Sequence, residues 1–192
     1  MTGDGTADQR IVTARLELAP LTVQDADELV LVLGDRRLHE FIGGQPAALD
    51  ELRDRYARLV EGRSADGSQA WHNWVVRQLA DRRAVGTVQA TVTARGRAAE
   101  VAWVIGVPWQ GQGLASEAAK AVVGWLEGRR VRTITAHVHP ANRASAVVAT
   151  RAGLTPTDTY HHGERLWRRR APQGRAILPG RRRRARRPTD HP

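Results

Sequence analysis

The chain has 192 residues, 41% hydrophobic and 26% charged, with no Cys and a formal net charge of +10. That length suits one domain whose core needs no disulfide or metal, and the lack of Cys excludes a disulfide framework, a thiolate metal site and a Cys nucleophile. The first ten residues have no basic start and no apolar segment, and no apolar run approaches a membrane span, so neither a secretory leader nor a membrane contact is expected and a cytoplasmic location is the default.

The charge is unevenly spread. Residues 171–192 contain seven Arg and one Asp, so +6 of the +10 lies in that tail. Such a run, dense from Arg181 to Arg187, can hold polyanions with strong salt dependence. Nucleic acid is therefore expected as a partner only through the tail. Residues 1–10 and 171–192 have no hydrophobic periodicity and are expected to be disordered around a single domain at 11–170.

Ile11 to Leu21 reads as a strand, with Leu16 and Leu18 alternating with Arg15 and Glu17. Thr22 opens a helix with Asp25 in capping-box position, and Ala26, Leu29, Val30 and Leu33 form its apolar face. A short helical piece follows at Arg36 to Phe41, before the turn Gly43-Gly44. Leu49 to Val60 is amphipathic, with Leu52, Tyr56, Leu59 and Val60 on one side. Three strand-like segments come next: Trp71 to Leu79, Val85 to Thr93 and Ala98 to Ile105. Their breaks at Asp81–Arg83 and Arg95–Arg97 suit hairpins. Leu114 to Glu127 is a helix, Val131 to Val138 a strand, and Asn142 to Ala152 a helix closed by Gly153. Leu154 to Tyr160 and Arg165 to Trp167 complete the pattern as a hairpin. The order βααβββαβαββ predicts an α/β (α+β) domain: about seven mainly antiparallel strands and four helices, with one parallel pair across the helix at 114–127.

The stretch Val107-Pro-Trp-Gln-Gly-Gln-Gly-Leu-Ala-Ser-Glu117 joins a strand to a helix start. Backbone N–H groups from Gln112 to Ala115 converge there with the positive helix end behind them, an arrangement suited to phosphate. Gly111 and Gly113 permit positive φ and close backbone approach.

The element order, the Gln110-x-x-Gly113-x-Ala115 spacing and the downstream Pro140-x-Asn142-x-x-Ser145 with Gly153-Leu154 resemble the GNAT superfamily of acyl-CoA N-acyltransferases. The opening Thr13-Ala-Arg15-Leu16-x-Leu18 and closing Gly163-Glu164-x-Leu166-Trp167 are similar to its RimJ/RimL-like branch, related to ribosomal-protein N-terminal acetyltransferases. The resemblance covers about residues 11–170. It implies a sheet splayed at the parallel pair and acetyl-CoA as co-substrate, with no metal. The pyrophosphate would lie on Gln110, Gly111, Gln112, Gly113, Leu114, Ala115 and Ser116. Pantetheine would pair with the backbone near Trp103, Val104 and Ile105 and with Asn142. His39 to Gln45 and the helix Leu49–Val60 would close over an amine acceptor. A monomer or a homodimer is expected.

Acyl transfer to an amine needs a polarised thioester, a neutral amine and a proton for the thiolate. At pH 7 neutralising a protein α-amine costs about 1 kcal/mol, and a Lys amine about 4.6 kcal/mol. Glu100, just before the cleft-lining strand, is the first candidate base, and His137 and His139 the second; each could equally be a strand-end or packing residue. In the resembled family a Tyr proton donor often stands seven residues after the Asn; here Ala149 occupies that place. Ser145 is the candidate donor, and Tyr160 could replace it only if the last hairpin folds inward. Trp71, Trp74 and Trp109 suit core or substrate wall alike. The acceptor stays open between a protein N-terminus and a small molecule, including an antibiotic. A binding module acting through the tail is the alternative from a different class.

Overall fold

The computed structural model describes residues 10–170; the expected disordered ends, and with them the Arg-rich tail, lie outside the described residues apart from Arg10. One eight-stranded sheet runs through the molecule in the order β1-β2-β3-β4-β5-β6-β8-β7. Its strands are β1 (Ile11–Val12), β2 (Leu16–Pro20), β3 (Ala70–Gln78), β4 (Ala84–Thr93), β5 (Ala98–Ile105), β6 (Thr133–Val138), β7 (Thr155–His161) and β8 (Glu164–Arg170). The helices are α1 (Ala26–Leu33), α2 (His39–Ile42), α3 (Leu49–Leu59), α4 (Leu114–Gly128) and α5 (Arg143–Arg151). All neighbouring strands are antiparallel except β5 and β6. This is the mixed α/β architecture that the sequence predicts, with one strand and one helix more.

Both additions have local causes. The single strand expected at 11–21 is two, because the Thr13 hydroxyl accepts from Leu16 N at 3.0 Å and closes a turn between β1 and β2. The helix beyond the four counted is α2, the short helical piece expected at Arg36 to Phe41; it is started by a 3-10 turn at Arg36–Leu38, where the Asp35 carboxylate accepts from Arg37 N at 2.9 Å. The N-terminal cap expected at Thr22 is present: the Asp25 carboxylate accepts from Thr22 N at 2.8 Å.

Apolar side chains cover the sheet on both faces. On one face Leu16, Leu18, Trp74, Val88, Val101 and Ile134 meet Leu114, Ala118, Val122 and Leu126 of α4 and Val148 of α5. On the other, Val75 and Ala84 meet Leu29 and Val32 of α1 and Leu52 and Tyr56 of α3. The 3.6-residue spacing of these helical positions lets each helix offer one apolar stripe to its side of the sheet. Trp74 is fully buried and meets Trp125 edge-on at 5.1 Å. Glu17 is the exception to a dry core: only 2% exposed, its carboxylate is paired with Arg10 and Arg82. An unpaired carboxylate there would be strongly destabilising.

The backbone of β4 touches β5 closely at Gly86, the partner of Ile105. A Cβ on Gly86 would lie 2.1 Å from the Val104 carbonyl oxygen, which cannot rotate away. Gly86→Ala is therefore expected to destabilise the protein by about 1–3 kcal/mol, read as a lower urea midpoint.

Candidate active site

Strands β5 and β6 pair only at Ala98/Thr133, Ala99/Ile134 and Glu100/Thr135. Beyond that they separate, while β5 stays paired with β4 as far as Ile105 and β6 with β8 as far as Val138. The inner backbone edge of β5 after Glu100 is thus released from its sheet partner. Unpaired N–H and C=O groups at such an edge favour an extended ligand that can bond to them.

Two cavities meet at this opening. The larger, about 580 Å³, runs from Trp103, Val104 and Ile105 across the loop before α4 to Asn142, Ser145 and Val148 of α5, with Phe41 and Ile42 of α2 on its outer side. The smaller, about 390 Å³, lies under α1 and α3 against the other sheet face. Ile42, Trp103 and Val104 belong to both walls. A donor in the first and an acceptor in the second would meet at the tip of β5.

The loop has the conformation that anion binding requires. Gly113 caps α4 with φ +79°, and Gly111 has φ +76°. The first helical bond is Glu117 N to Gly113 O, so the N–H groups of Leu114, Ala115 and Ser116 have no partner within the helix. Gly111, Gly113, Leu114, Ala115 and Ser116 all line the larger cavity. Gln110 lines it too, and its side-chain amide donates to the Ile105 carbonyl at 2.9 Å, fixing the loop to the end of β5. Gln112 does not: its side chain donates to the Pro108 carbonyl at 3.4 Å.

A contact between distant parts of the sequence sets the loop. Glu117, an acid in the first turn of α4, accepts from the Thr13 hydroxyl at 2.7 Å, from Arg15 N at 2.9 Å and from Arg15 Nε at 2.7 Å. Arg15 Nη1 also donates to the Gln112 carbonyl at 3.0 Å. In a planar trans peptide the N–H opposes the C=O, so the Gly113 N–H faces away from Arg15. The same guanidinium neutralises the one carboxylate that would oppose an anion at the helix start. Burial alone would raise the Glu117 pKa, but the hydrogen bonds from Thr13 and Arg15 outweigh it and hold the carboxyl below its ordinary value. Sequence reading missed Arg15 in this role, since nothing local connects it with Glu117.

The other expected site residues divide clearly. Asn142 caps α5, its side-chain oxygen accepting from Ser145 N at 3.0 Å, and both residues line the larger cavity. Glu100 and His137, expected as alternatives, are brought together: His137 Nδ1 lies 3.2 Å from Glu100 Oε1. The buried His137 Nε2 has no hydrogen-bond partner in the structure. Registers place Trp71, Thr91, Glu100 and Thr135 in one row across the sheet, and Asn73, Gln89 and Ala102 in the next. Asn73, Gln89 and Ala102 line the smaller cavity, so Glu100 and His137 stand at its edge. His139 turns elsewhere, accepting from Ala141 N and packing on Phe41. Ala149 is fully buried in the core, and Tyr160 is exposed on β7, outside both cavities. Trp109 lines the larger cavity; the Trp74 side chain is core, fully buried against Trp125 on the α4 face of the sheet, so it reaches the smaller cavity only from behind, and Trp71 lines neither.

The family model described as acetyltransferase (GNAT) domain matches residues 15–155. The chain belongs to that family. Solved structures of similar fold include a GNAT-family acetyltransferase from Bacillus anthracis (18% identity, TM-score 0.70, 84% of this chain and 98% of that one). RimL, a ribosomal L7/L12 alpha-N-protein acetyltransferase in complex with coenzyme A, is 18% identical with TM-score 0.71, over 84% and 97% of the two chains. AAC(6')-Ib, solved with an aminoglycoside and acetyl-CoA, is 17% identical with TM-score 0.67, over 81% and 93%. None of the curated proteins matches by sequence. Among the described residues, no group of three His, Cys, Asp or Glu side chains could hold a metal ion, and no helix is long and apolar enough to cross a membrane.

Because the native Glu117 pKa is lowered, the stability it contributes is complete above its ordinary value of 4.5 and is lost as pH falls through the native one. Glu117→Gln is expected to cost about 1 kcal/mol at neutral pH, since the contact is partly exposed. The difference from wild type should shrink as urea unfolding is repeated through the acid carboxylate range.

Proposed function

We propose that the protein transfers an acetyl group from acetyl-CoA to a primary amine by direct attack when both are bound. The observation that carries this reading is the meeting of two cavities at Trp103 and Val104, with a phosphate-ready helix start at the far end of one of them.

The pyrophosphate is assigned to the free N–H groups at the start of α4, and pantetheine to the released edge of β5 and the side chain of Asn142. A backbone N–H of that edge meets the acyl oxygen and stabilises the charge that develops on it. The amine nitrogen attacks the thioester carbon, forming the C–N bond as the C–S bond breaks. His137, oriented by Glu100, takes the proton from the amine, directly or through a water. Ser145 is assigned as proton donor to the thiolate, aided by the positive end of α5. An α-amine suits this modest base better than a Lys side chain, because less free energy is needed to neutralise it. The likeness to a ribosomal-protein α-N-acetyltransferase agrees with an α-amine, but an aminoglycoside-bound relative of the same fold leaves the acceptor to the chemistry of the smaller cavity.

The test is coenzyme A release from acetyl-CoA on addition of amines. Gly113→Val forces a β-branched residue to φ +79° and is expected to raise the KM for acetyl-CoA roughly tenfold, a loss of about 1.4 kcal/mol. An unchanged KM would count against the phosphate loop. His137→Ala is expected to lower kcat roughly 100-fold with little change in that KM.

A further inference from the structure

The smaller cavity has a charge and a shape of its own. Three of its wall residues, Leu52, Tyr56 and Leu59, recur along α3 at helical spacing and face the sheet, and Arg55 stands beside them at the solvent side. The floor is the polar row Asn73, Gln89 and, two residues along β4, Thr87. No Asp or Glu lines this cavity. Its one permanent charge is the Arg55 guanidinium, which forms no ion pair among the salt bridges of the described residues. Tyr56 is only 3% exposed, yet its hydroxyl has no hydrogen-bond partner. Burial pushes the Tyr56 phenol up to about 12, against the smaller effect of the Arg55 charge, so it stays a neutral donor. A buried hydroxyl without a partner is costly, and a bound acceptor oxygen would satisfy it. Past the row Asn73, Gln89 and Ala102, the Glu100 carboxylate stands beyond the cavity edge.

The cavity wall thus carries one cation and one orphan hydroxyl donor, with a carboxylate beyond its edge. An ammonium group is drawn toward Glu100, and an anionic group is drawn toward Arg55. A polycation finds no carboxylate in the wall to hold its further charges. We propose that the acceptor is a primary amine carrying a carboxylate a few bonds away, with Arg55 and the Tyr56 hydroxyl as its specificity-determining contacts. Two sources share that chemistry: a free acidic amino acid and a peptide N-terminus followed by acidic side chains. This inference rests on the acetyl-transfer reading above.

The test compares four acceptors in the thiol-release assay: free glutamate, a short peptide with a free N-terminus and two Glu, the same peptide with two Lys, and an aminoglycoside. Wild type is expected to favour the acidic over the basic peptide by about tenfold in kcat/KM. Arg55→Glu, a change at an exposed position, should reverse that order with the KM for acetyl-CoA unchanged. Tyr56→Phe keeps the buried ring and should raise the acceptor KM several-fold. Turnover of glutamate as well as peptide assigns a small-molecule source, and turnover of the peptide alone a chain terminus; either supports the proposal. A preference for the basic peptide or the aminoglycoside overturns it, as does an Arg55→Glu variant with the wild-type order. Acetyl-CoA binding measured by calorimetry separates the two levels. Binding without turnover of any of the four overturns the acceptor class alone, and absence of binding overturns the reaction on which it rests.

Discussion

The parting of β5 and β6 after three paired positions is the constraint on which the site depends. A sheet interior with unpaired backbone is unfavourable unless something else satisfies it. Here each strand is fully paired on its outer side, so the cost is confined to the inner edges. The β5 edge, at Trp103 and Val104, lies in the wall of both cavities. Backbone groups that would otherwise close the sheet are left for a ligand, and the sheet supplies its own rigid binding edge.

Around that opening, the fold separates charge. The start of α4 offers positive dipole and free N–H groups on one side, with its single acid, Glu117, tied to Arg15 and Thr13. The Glu100–His137 pair stands on the opposite face of the sheet, at the edge of the smaller cavity. One side suits a polyanionic donor and the other a basic acceptor that must lose a proton. The sheet keeps the two from neutralising each other. Ile42, on the four-residue helix between Asp35 and the Gly43-Gly44 turn, is the one side chain outside β5 that forms part of both walls.

Much of this was legible in the residues because it depends on local pattern. Gly111 and Gly113 at a strand–helix junction indicated positive φ and an anion site, and both have that conformation. Asn142 was placed at the start of a helix, and it stands there as its cap, accepting from Ser145 N. The strand pattern failed at Thr13–Arg15 because alternation cannot reveal a hydroxyl that closes a turn. Long-range pairings were out of reach. Arg15 and Glu117 lie 102 positions apart and Glu100 and His137 37 apart; the packing of α4 against β1 and β2 joins the first pair, and the β5–β6 register the second. Glu17 alternates with Leu16 and Leu18, which does not reveal its burial, because its cover comes from Arg10, just before β1, and from Arg82 in a hairpin turn. The orphan hydroxyl of Tyr56 was hidden for a related reason. On α3 its spacing marks it as core, and the ring is core; only the cavity beside it makes the oxygen a contact.

The central claim is that the released edge of β5 and the start of α4 together seat acetyl-CoA. Amide hydrogen exchange, resolved by residue with and without acetyl-CoA, tests it most directly. Slower exchange at Trp103–Ile105 and Leu114–Ser116, with the paired amides of Ala98–Glu100 unchanged, is the predicted result. Protection confined to other segments, or none at saturating acetyl-CoA, would contradict it.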